Sequence, residues 1–114
     1  MTRILVIRLG AIGDLILTSP AIINLRLSNP DAKIFFLTRP PHSQLLKFCP
    51  GIDEIIEFPQ DSSLFTLFKI GEYLDKIGFD KVIDLHGNFR SKYLMRHISA
   101  PVKIQYRKRR WERL

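Results

Sequence analysis

The stretch RILVIRLGAIGD, residues 3–14, decides the fold of this chain. It begins with an unbroken apolar run, residues 4–7, that lacks the polar alternation of a half-exposed strand. Such a run is typical of a central parallel strand that is covered on both faces. Two glycines then turn the chain, and Asp14 opens a helical pattern. A buried strand that leads through a glycine turn into a helix predicts a parallel α/β sheet.

The rest of the sequence alternates between strand and helix patterns. Five strands are predicted, at residues 3–9, 33–37, 54–58, 81–85 and 102–105. The predicted helices are one from residue 14 that Pro20 interrupts and Asn29-Pro30 ends, a short one at 43–48, one capped at 61–63 and ended by Gly78, and one near 90–97. The connections are too long for hairpins. We therefore predict a Rossmann-like parallel sheet with helices on both faces.

The length and composition predict one domain that covers residues 1–114. Hydrophobic residues make up 46% of the chain, which is enough for a packed core, and the single cysteine, Cys49, excludes an internal disulfide. No stretch approaches the roughly 18 apolar residues that a membrane span needs. Arg8 and Asp14 interrupt the apolar N-terminus, which is unlike a signal peptide. We therefore expect a cytoplasmic domain.

The net charge of +7 is concentrated at the C-terminal end. Residues 103–114 hold six basic residues and one acidic residue, so this basic tail supplies +5 of the total. Such a segment attracts anions such as phosphorylated lipid, nucleic acid or acidic sugars. No recognition helix, zinc motif or ribonucleoprotein motif accompanies it, and we predict no nucleic-acid partner.

Two glycine-containing turns are the candidate binding loops. One spans residues 10–14 after the first strand, and the other spans residues 85–91 after the fourth. Ligands of open parallel sheets bind at the carboxyl ends of the strands, where glycines allow close approach of backbone N–H groups. The positive end of the helix that follows each turn favours an anion.

The first turn does not fit the common nucleotide-binding motifs. A dinucleotide fingerprint needs three glycines, whereas only Gly10 and Gly13 are present, and no Gly-Lys-Ser/Thr motif follows them. The second strand is followed by Thr38 and Arg39, with no acidic residue to bind a ribose. Arg39 could meet a 2′-phosphate, so an NADP site stays open as an alternative.

Two carboxylates near the predicted strand ends have different interpretations. Asp14 is either an N-cap, worth about 1 kcal/mol, or a general base, and the two roles are compatible. Asp84 lies inside an apolar strand. We interpret it as a buried, hydrogen-bonded structural carboxylate.

The other polar residues of the two turns also have a structural and a functional interpretation. Arg8 is either a surface arginine whose aliphatic part covers the domain or a contact to a ligand. Arg90 is either a solvated side chain or a bidentate hydrogen-bond donor to a carboxylate or phosphate. Asn88 and Ser91 are turn and cap residues or ligand contacts, and His86 is a candidate for the cleft wall.

Several segments together resemble the ADP-heptose:lipopolysaccharide heptosyltransferases, glycosyltransferase family 9. The first is RLGAIGD at residues 8–14, followed by LTSPA at residues 17–21. Asn29-Pro30, PGIDEII at residues 50–56 and DLHGNFRS at residues 84–91 agree with the family in order and spacing. The resemblance covers nearly the whole chain.

This resemblance implies the N-terminal, acceptor-side half of a GT-B enzyme, in which two Rossmann-like domains face each other across a cleft. The C-terminal half, which holds most of the nucleotide-sugar site, is absent from this sequence, so the isolated 114 residues are expected to be inactive. The implied reaction is an inverting transfer of heptose from ADP-heptose to the inner core of lipopolysaccharide. A non-catalytic module, or one that binds NADP or another nucleotide, is the alternative.

By the same resemblance, Asp14 is the general base. The expected substrate-binding residues are those of the two turns: Arg8, Gly10, Ala11, Ile12, Gly13, His86, Gly87, Asn88, Arg90 and Ser91. No cofactor and no metal are expected, since the three histidines are scattered along the chain. The expected partners are a lipopolysaccharide inner-core acceptor and a nucleotide sugar held by the missing half. Peripheral contact with the cytoplasmic face of the inner membrane is a further option, because the acceptor is embedded there.

Overall fold

The computed structural model describes residues 2–8, 22–39, 51–58, 63–85 and 89–105. The described elements, in chain order, are β1 (Arg3–Ile7), helical residues 22–28 (α1), β2 (Lys33–Thr38), β3 (Glu54–Glu57), α2 (Leu64–Ile77), β4 (Lys81–Asp84), α3 (Phe89–His97) and β5 (Val102–Gln105).

The five strands form one parallel sheet in the order β3-β2-β1-β4-β5. The apolar run of β1 lies at its centre, and Ile4, Leu5, Val6 and Ile7 are all at most 1% exposed. A strand buried on both faces needs no polar alternation, which is why this run identifies it. The predicted α/β fold is confirmed.

The predicted strand boundaries agree closely with the structure. β5 has the predicted bounds, and β3 and β4 each end one residue before the predicted end. β2 continues one residue further, to Thr38, and β1 ends at Ile7, before its predicted end at residue 9. β3 is an edge strand and is more exposed than the central strands β1 and β2. The helix predicted at 43–48 and the interruption at Pro20 lie outside the described residues.

Each face of the sheet has its own hydrophobic cluster. Side chains alternate between the faces along each strand, so that Leu5 and Ile7 join the cluster under α2 and α3. Ile4 and Val6 join the other cluster, which Ile22 of α1 closes. Helices therefore cover both faces of the sheet, as the sequence predicts.

Helix α2 begins and ends as expected but buries fewer apolar residues than expected. The hydroxyl of Ser63 caps it by accepting a hydrogen bond from the Thr66 N–H at 3.2 Å, and Gly78 ends it in the left-handed conformation, φ 80°. Leu67 and Leu74 are buried in the core. The helical spacing of Leu64, Leu67, Phe68, Leu74 and Ile77 predicts one apolar face. Leu64 and Phe68 are exposed, so this prediction is wrong for these two residues. Among the described helices, none is long and apolar enough to cross a membrane.

An ion pair at the amino edge of the sheet joins α1 to the segment before β3. Arg26 pairs with Asp53 and donates to the carbonyls of Gly51 and Ala32. The Asp53 carboxylate also accepts the Ile34 N–H at 2.8 Å. Partial burial raises the pKa of Asp53, but the Ile34 N–H and the Arg26 and Lys33 cations outweigh it and hold that pKa below its ordinary value.

Replacing Asp53 by asparagine is expected to reduce the sensitivity of the fold to acid. A carboxylate with a lowered pKa in the folded state stabilises the fold above its unfolded pKa, about 3.9, and loses this effect as the pH falls through the folded value. The free energy of unfolding of Asp53→Asn should therefore fall less steeply than that of wild type below about pH 4, in urea titrations at several pH values. Asp31→Asn, at an exposed carboxylate, is the control. If the free energy of unfolding of Asp53→Asn fell as steeply in acid as that of wild type, this result would contradict the assigned ion pair.

Candidate functional site

The carboxyl ends of β1 and β4 form the topological switch point of the sheet. From β1 the chain builds outward to β2 and β3, and it then crosses back to place β4 on the other side of β1. Ile7 pairs with Asp84, and the Leu85 N–H donates to the Ile7 carbonyl at 3.0 Å. The strand ends that precede the two glycine-containing turns in sequence are therefore neighbours. Ligands of open α/β sheets bind at such a point.

Arg8, the first residue after β1, connects these two strand ends. Its Nη1 donates to the Leu85 carbonyl at 2.5 Å, and its backbone N–H donates to the Leu37 carbonyl of β2 at 3.0 Å. The residue is only 7% exposed. The interpretation as a surface arginine is therefore wrong, because the guanidinium is drawn inward by a buried backbone acceptor. Its structural role is to join the segments that follow β1 and β4.

Replacing Arg8 by methionine is expected to lower the free energy of unfolding by about 1.5–3 kcal/mol, the usual value of a hydrogen bond to a charged group. Methionine keeps the aliphatic volume and leaves the Leu85 carbonyl without this donor. Urea denaturation measures the change. Arg96→Met, at an exposed position of α3, should change stability by less than about 0.5 kcal/mol. Equal effects of the two substitutions would contradict the role of Arg8.

Asp84 is the last residue of β4 and is completely buried. Its Oδ2 accepts a hydrogen bond from Nε2 of Gln105, its register partner on β5, at 3.4 Å. A carboxylate with no exposed surface and a hydrogen-bonded oxygen agrees with the structural interpretation made from the sequence.

The first turn of α3 faces the switch point, because α3 connects the parallel strands β4 and β5 and so begins at their carboxyl edge. Arg90 is partly buried there, and Ser91 is completely buried. Since α3 begins at Phe89, Ser91 is the third helical residue, which corrects its interpretation as a cap. A partly exposed arginine at a helix N-terminus keeps donors available for an anionic group.

The remaining predicted site residues lie outside the described ranges. They are Asp14, Gly10, Ala11, Ile12 and Gly13 after β1, and His86, Gly87 and Asn88 after β4. Their roles stay predictions. The structure brings together the described residues from which the two segments start, Arg8 and Leu85.

Two polar residues at the end of β2 belong to the same edge. Thr38 is completely buried, and its Oγ1 has no hydrogen-bond partner among the described residues. The Arg39 guanidinium lies over the Phe58 ring, 5.4 Å from its centroid. The prediction ended this strand at Leu37 and so missed the burial of Thr38. The signal was a hydroxyl residue that directly continues an apolar run.

The described residues contain no group of three or more histidine, cysteine or carboxylate side chains that could hold a metal ion. An open pocket of about 650 Å³ lies at the opposite, amino edge of the sheet, beside Asp31 and Asp80. The Asp80 carboxylate there accepts the Arg3 N–H at 2.9 Å and thus supports the start of β1. This pocket is remote from the switch point.

Comparison with known proteins finds similarity to solved structures. No protein-family model and no curated protein sequence matches the chain. A solved glycosyl transferase family 9 protein from Veillonella parvula DSM 2008 matches 92% of the chain with 31% sequence identity and a TM-score of 0.83. The chain has the fold of part of a family 9 glycosyltransferase.

Two structures of the E. coli heptosyltransferase WaaC share this fold. The one with ADP-2-deoxy-2-fluoro heptose matches 91% of the chain at 21% identity and a TM-score of 0.75. The one with ADP matches 89% at 20% identity and a TM-score of 0.72. The chain spans about a third of the length of these proteins, 32% of the Veillonella protein and 36% and 35% of the two WaaC chains.

Proposed function

We propose that this chain belongs to the acceptor-side half of a family 9 glycosyltransferase that transfers heptose from ADP-heptose to the inner core of lipopolysaccharide. The observation that carries the proposal is the likeness to the Veillonella family 9 structure over 92% of the chain. The motif RLGAIGD at residues 8–14 supports it independently. The choice of heptose is supported by the family resemblance of the motifs and by the shared fold with WaaC.

In the proposed reaction, Asp14 removes the proton from an acceptor hydroxyl. The hydroxyl oxygen then forms a bond to the anomeric carbon of the donor sugar, and the bond from that carbon to ADP breaks with its electrons on the leaving phosphate. Attack from the face opposite ADP inverts the configuration. Proton removal by a positioned base contributes about 10²–10⁴-fold to such a rate.

The described residues support this proposal because Arg8, which precedes the RLGAIGD glycines in sequence, lies at the switch point of the sheet. Asp14 lies six residues after Arg8, on the segment that starts at the switch point. Gly10, Ala11, Ile12 and Gly13 would present backbone N–H groups to the acceptor. From the second turn, Arg90 would meet a carboxylate or phosphate of the acceptor core, together with His86, Gly87, Asn88 and Ser91.

The proposed partners follow from the same assignment. The acceptor is an inner-core lipopolysaccharide, and a second Rossmann-like half of the enzyme binds the nucleotide sugar. No cofactor takes part. The basic tail suits an acidic, membrane-embedded acceptor at the cytoplasmic face of the inner membrane.

A transfer assay on the full-length gene product tests the proposal. It combines ADP-heptose with acceptors that end in Kdo or in a first heptose, and mass spectrometry detects the added heptose. Product on one acceptor supports the assignment and identifies the acceptor. No product on either acceptor, together with saturable NADP⁺ binding that Arg39→Ala abolishes, would replace it by the nucleotide-binding alternative.

A further inference from the structure

Large apolar side chains are exposed on the outer side of α2 and α3. Leu64, Phe65 and Phe68 on α2 are 71%, 66% and 44% exposed, and Phe89 at the start of α3 is 69% exposed. The two helices pack side by side, since the Phe68 and His97 rings contact edge to face at 5.5 Å. Exposed apolar groups in such number on neighbouring elements indicate an interaction surface.

Both helices present these residues at the same end of the domain. Each helix leads into a strand of the parallel sheet, so that both first turns lie at the carboxyl edge. Leu64, Phe65 and Phe89 belong to those first turns, and Phe68 follows one turn later on α2. We call these four residues the apolar rim. The rim therefore borders the edge that holds the candidate site.

The charges beside the apolar rim are mainly positive. Helix α3, FRSKYLMRH, contains three basic residues and no acidic residue. Lys92 and Arg96 are exposed, and they follow Phe89 by three and seven positions, which places all three on one helical stripe. On α2, Lys69 Nζ lies 4.6 Å from the centroid of the Phe65 ring. The two lysines of α2 balance its Glu72 and Asp75, so α3 gives the surface its net charge.

We propose that the apolar rim and the basic stripe of α3 dock the domain on a bilayer that contains anionic lipid. Phenylalanine and leucine side chains enter the boundary between head groups and acyl chains, and lysine and arginine at its border attract anionic head groups. Charge complementarity selects lipid over a second copy of this chain, because a copy would bring the same cations against this surface. Docked in this way, the carboxyl edge of the sheet faces the membrane. The inference concerns binding alone and does not depend on the sugar-transfer reaction.

Sedimentation with vesicles tests the surface. Wild-type protein is mixed with vesicles of phosphatidylethanolamine and phosphatidylglycerol, or of phosphatidylcholine alone. We expect binding to the anionic vesicles that falls at least about five-fold in Lys92→Glu/Arg96→Glu, since each cation near an anionic surface contributes about that factor. Phe65→Ser/Phe89→Ser should lose binding to a similar extent. Both variants should keep the thermal midpoint of wild type, because the replaced side chains are exposed.

Tyr73→Ser is the matched control. Tyr73 is also an exposed aromatic residue of α2, at 54%, but it lies eight positions after Phe65, about 12 Å along the helix axis, and therefore away from the carboxyl edge that the rim borders. It should bind vesicles like wild type. Wild-type binding by both double variants would assign membrane contact to the basic tail and overturn the proposal, as would equal loss in Tyr73→Ser. The proposal would also be overturned if wild type bound no vesicles and instead formed a dimer in solution that Phe65→Ser/Phe89→Ser abolishes.

Discussion

Replacing Asp14 by asparagine is expected to lower the kcat of sugar transfer by about 10²–10⁴-fold. Asparagine is nearly the size of aspartate but cannot accept the proton of the acceptor hydroxyl. It is also about as good an N-cap as aspartate, so a residue that only caps the helix would tolerate this change. The measurement is a steady-state transfer assay of the full-length gene product with ADP-heptose.

The alanine variant separates the two roles further. Asp14→Ala removes both the base and the cap, so it should match Asp14→Asn in kcat and lose about 1 kcal/mol more stability. Near wild-type turnover in Asp14→Asn would leave the residue as a cap only. At the helix N-terminus that the sequence predicts for Asp14, the positive end of the helix would stabilise the carboxylate anion and so weaken it as a base. We expect exclusion of water on closure of the two halves to offset this effect.

Replacing Phe36 by alanine is expected to lower the free energy of unfolding by about 3–5 kcal/mol. Phe36 is completely buried in β2, within the cluster that Ile22 of α1 closes. Removal of its ring deletes apolar contacts and leaves a cavity in a layer held by strands on each side. Chemical denaturation followed by circular dichroism measures the change.

Phe65→Ala is the control for this substitution, since the Phe65 side chain is 66% exposed. The same chemical change there should alter stability by less than about 1 kcal/mol. Similar losses in both variants would contradict the two-faced burial of the sheet. If Phe36→Ala alone is strongly destabilised, the face under α1 is part of the core and not an open surface.

The fold could be predicted from the sequence because its central strands are marked by unbroken apolar runs. Residues 4–7 and 34–37 have no polar interruption, and both runs are buried on both faces. Ser63 and Gly78 mark the ends of α2 equally well, since capping and the left-handed conformation each depend on a local residue type.

The burial of single polar and apolar side chains could not be predicted in the same way. Arg8 is polar in sequence but buried, because a carbonyl 77 positions away accepts its hydrogen bond. Leu64 and Phe68 fit the helical spacing, yet both are exposed, whereas Leu67 between them is buried in the core. Such outcomes depend on long-range packing, which local patterns do not contain. For the candidate site, the sheet order brings the ends of β1 and β4 together, whereas the roles of the residues in the two turns stay predictions.

The hydrogen bond between Arg8 and the Leu85 carbonyl has a consequence for how the site can change on ligand binding. It connects the residue after β1 to the residue after β4, so a shift of either residue is expected to move the other or to break this bond. We therefore expect a rearrangement that accompanies ligand binding to begin after residue 8 and after residue 85. Structures with and without ligand should superpose through the strands and diverge only from those two points onward.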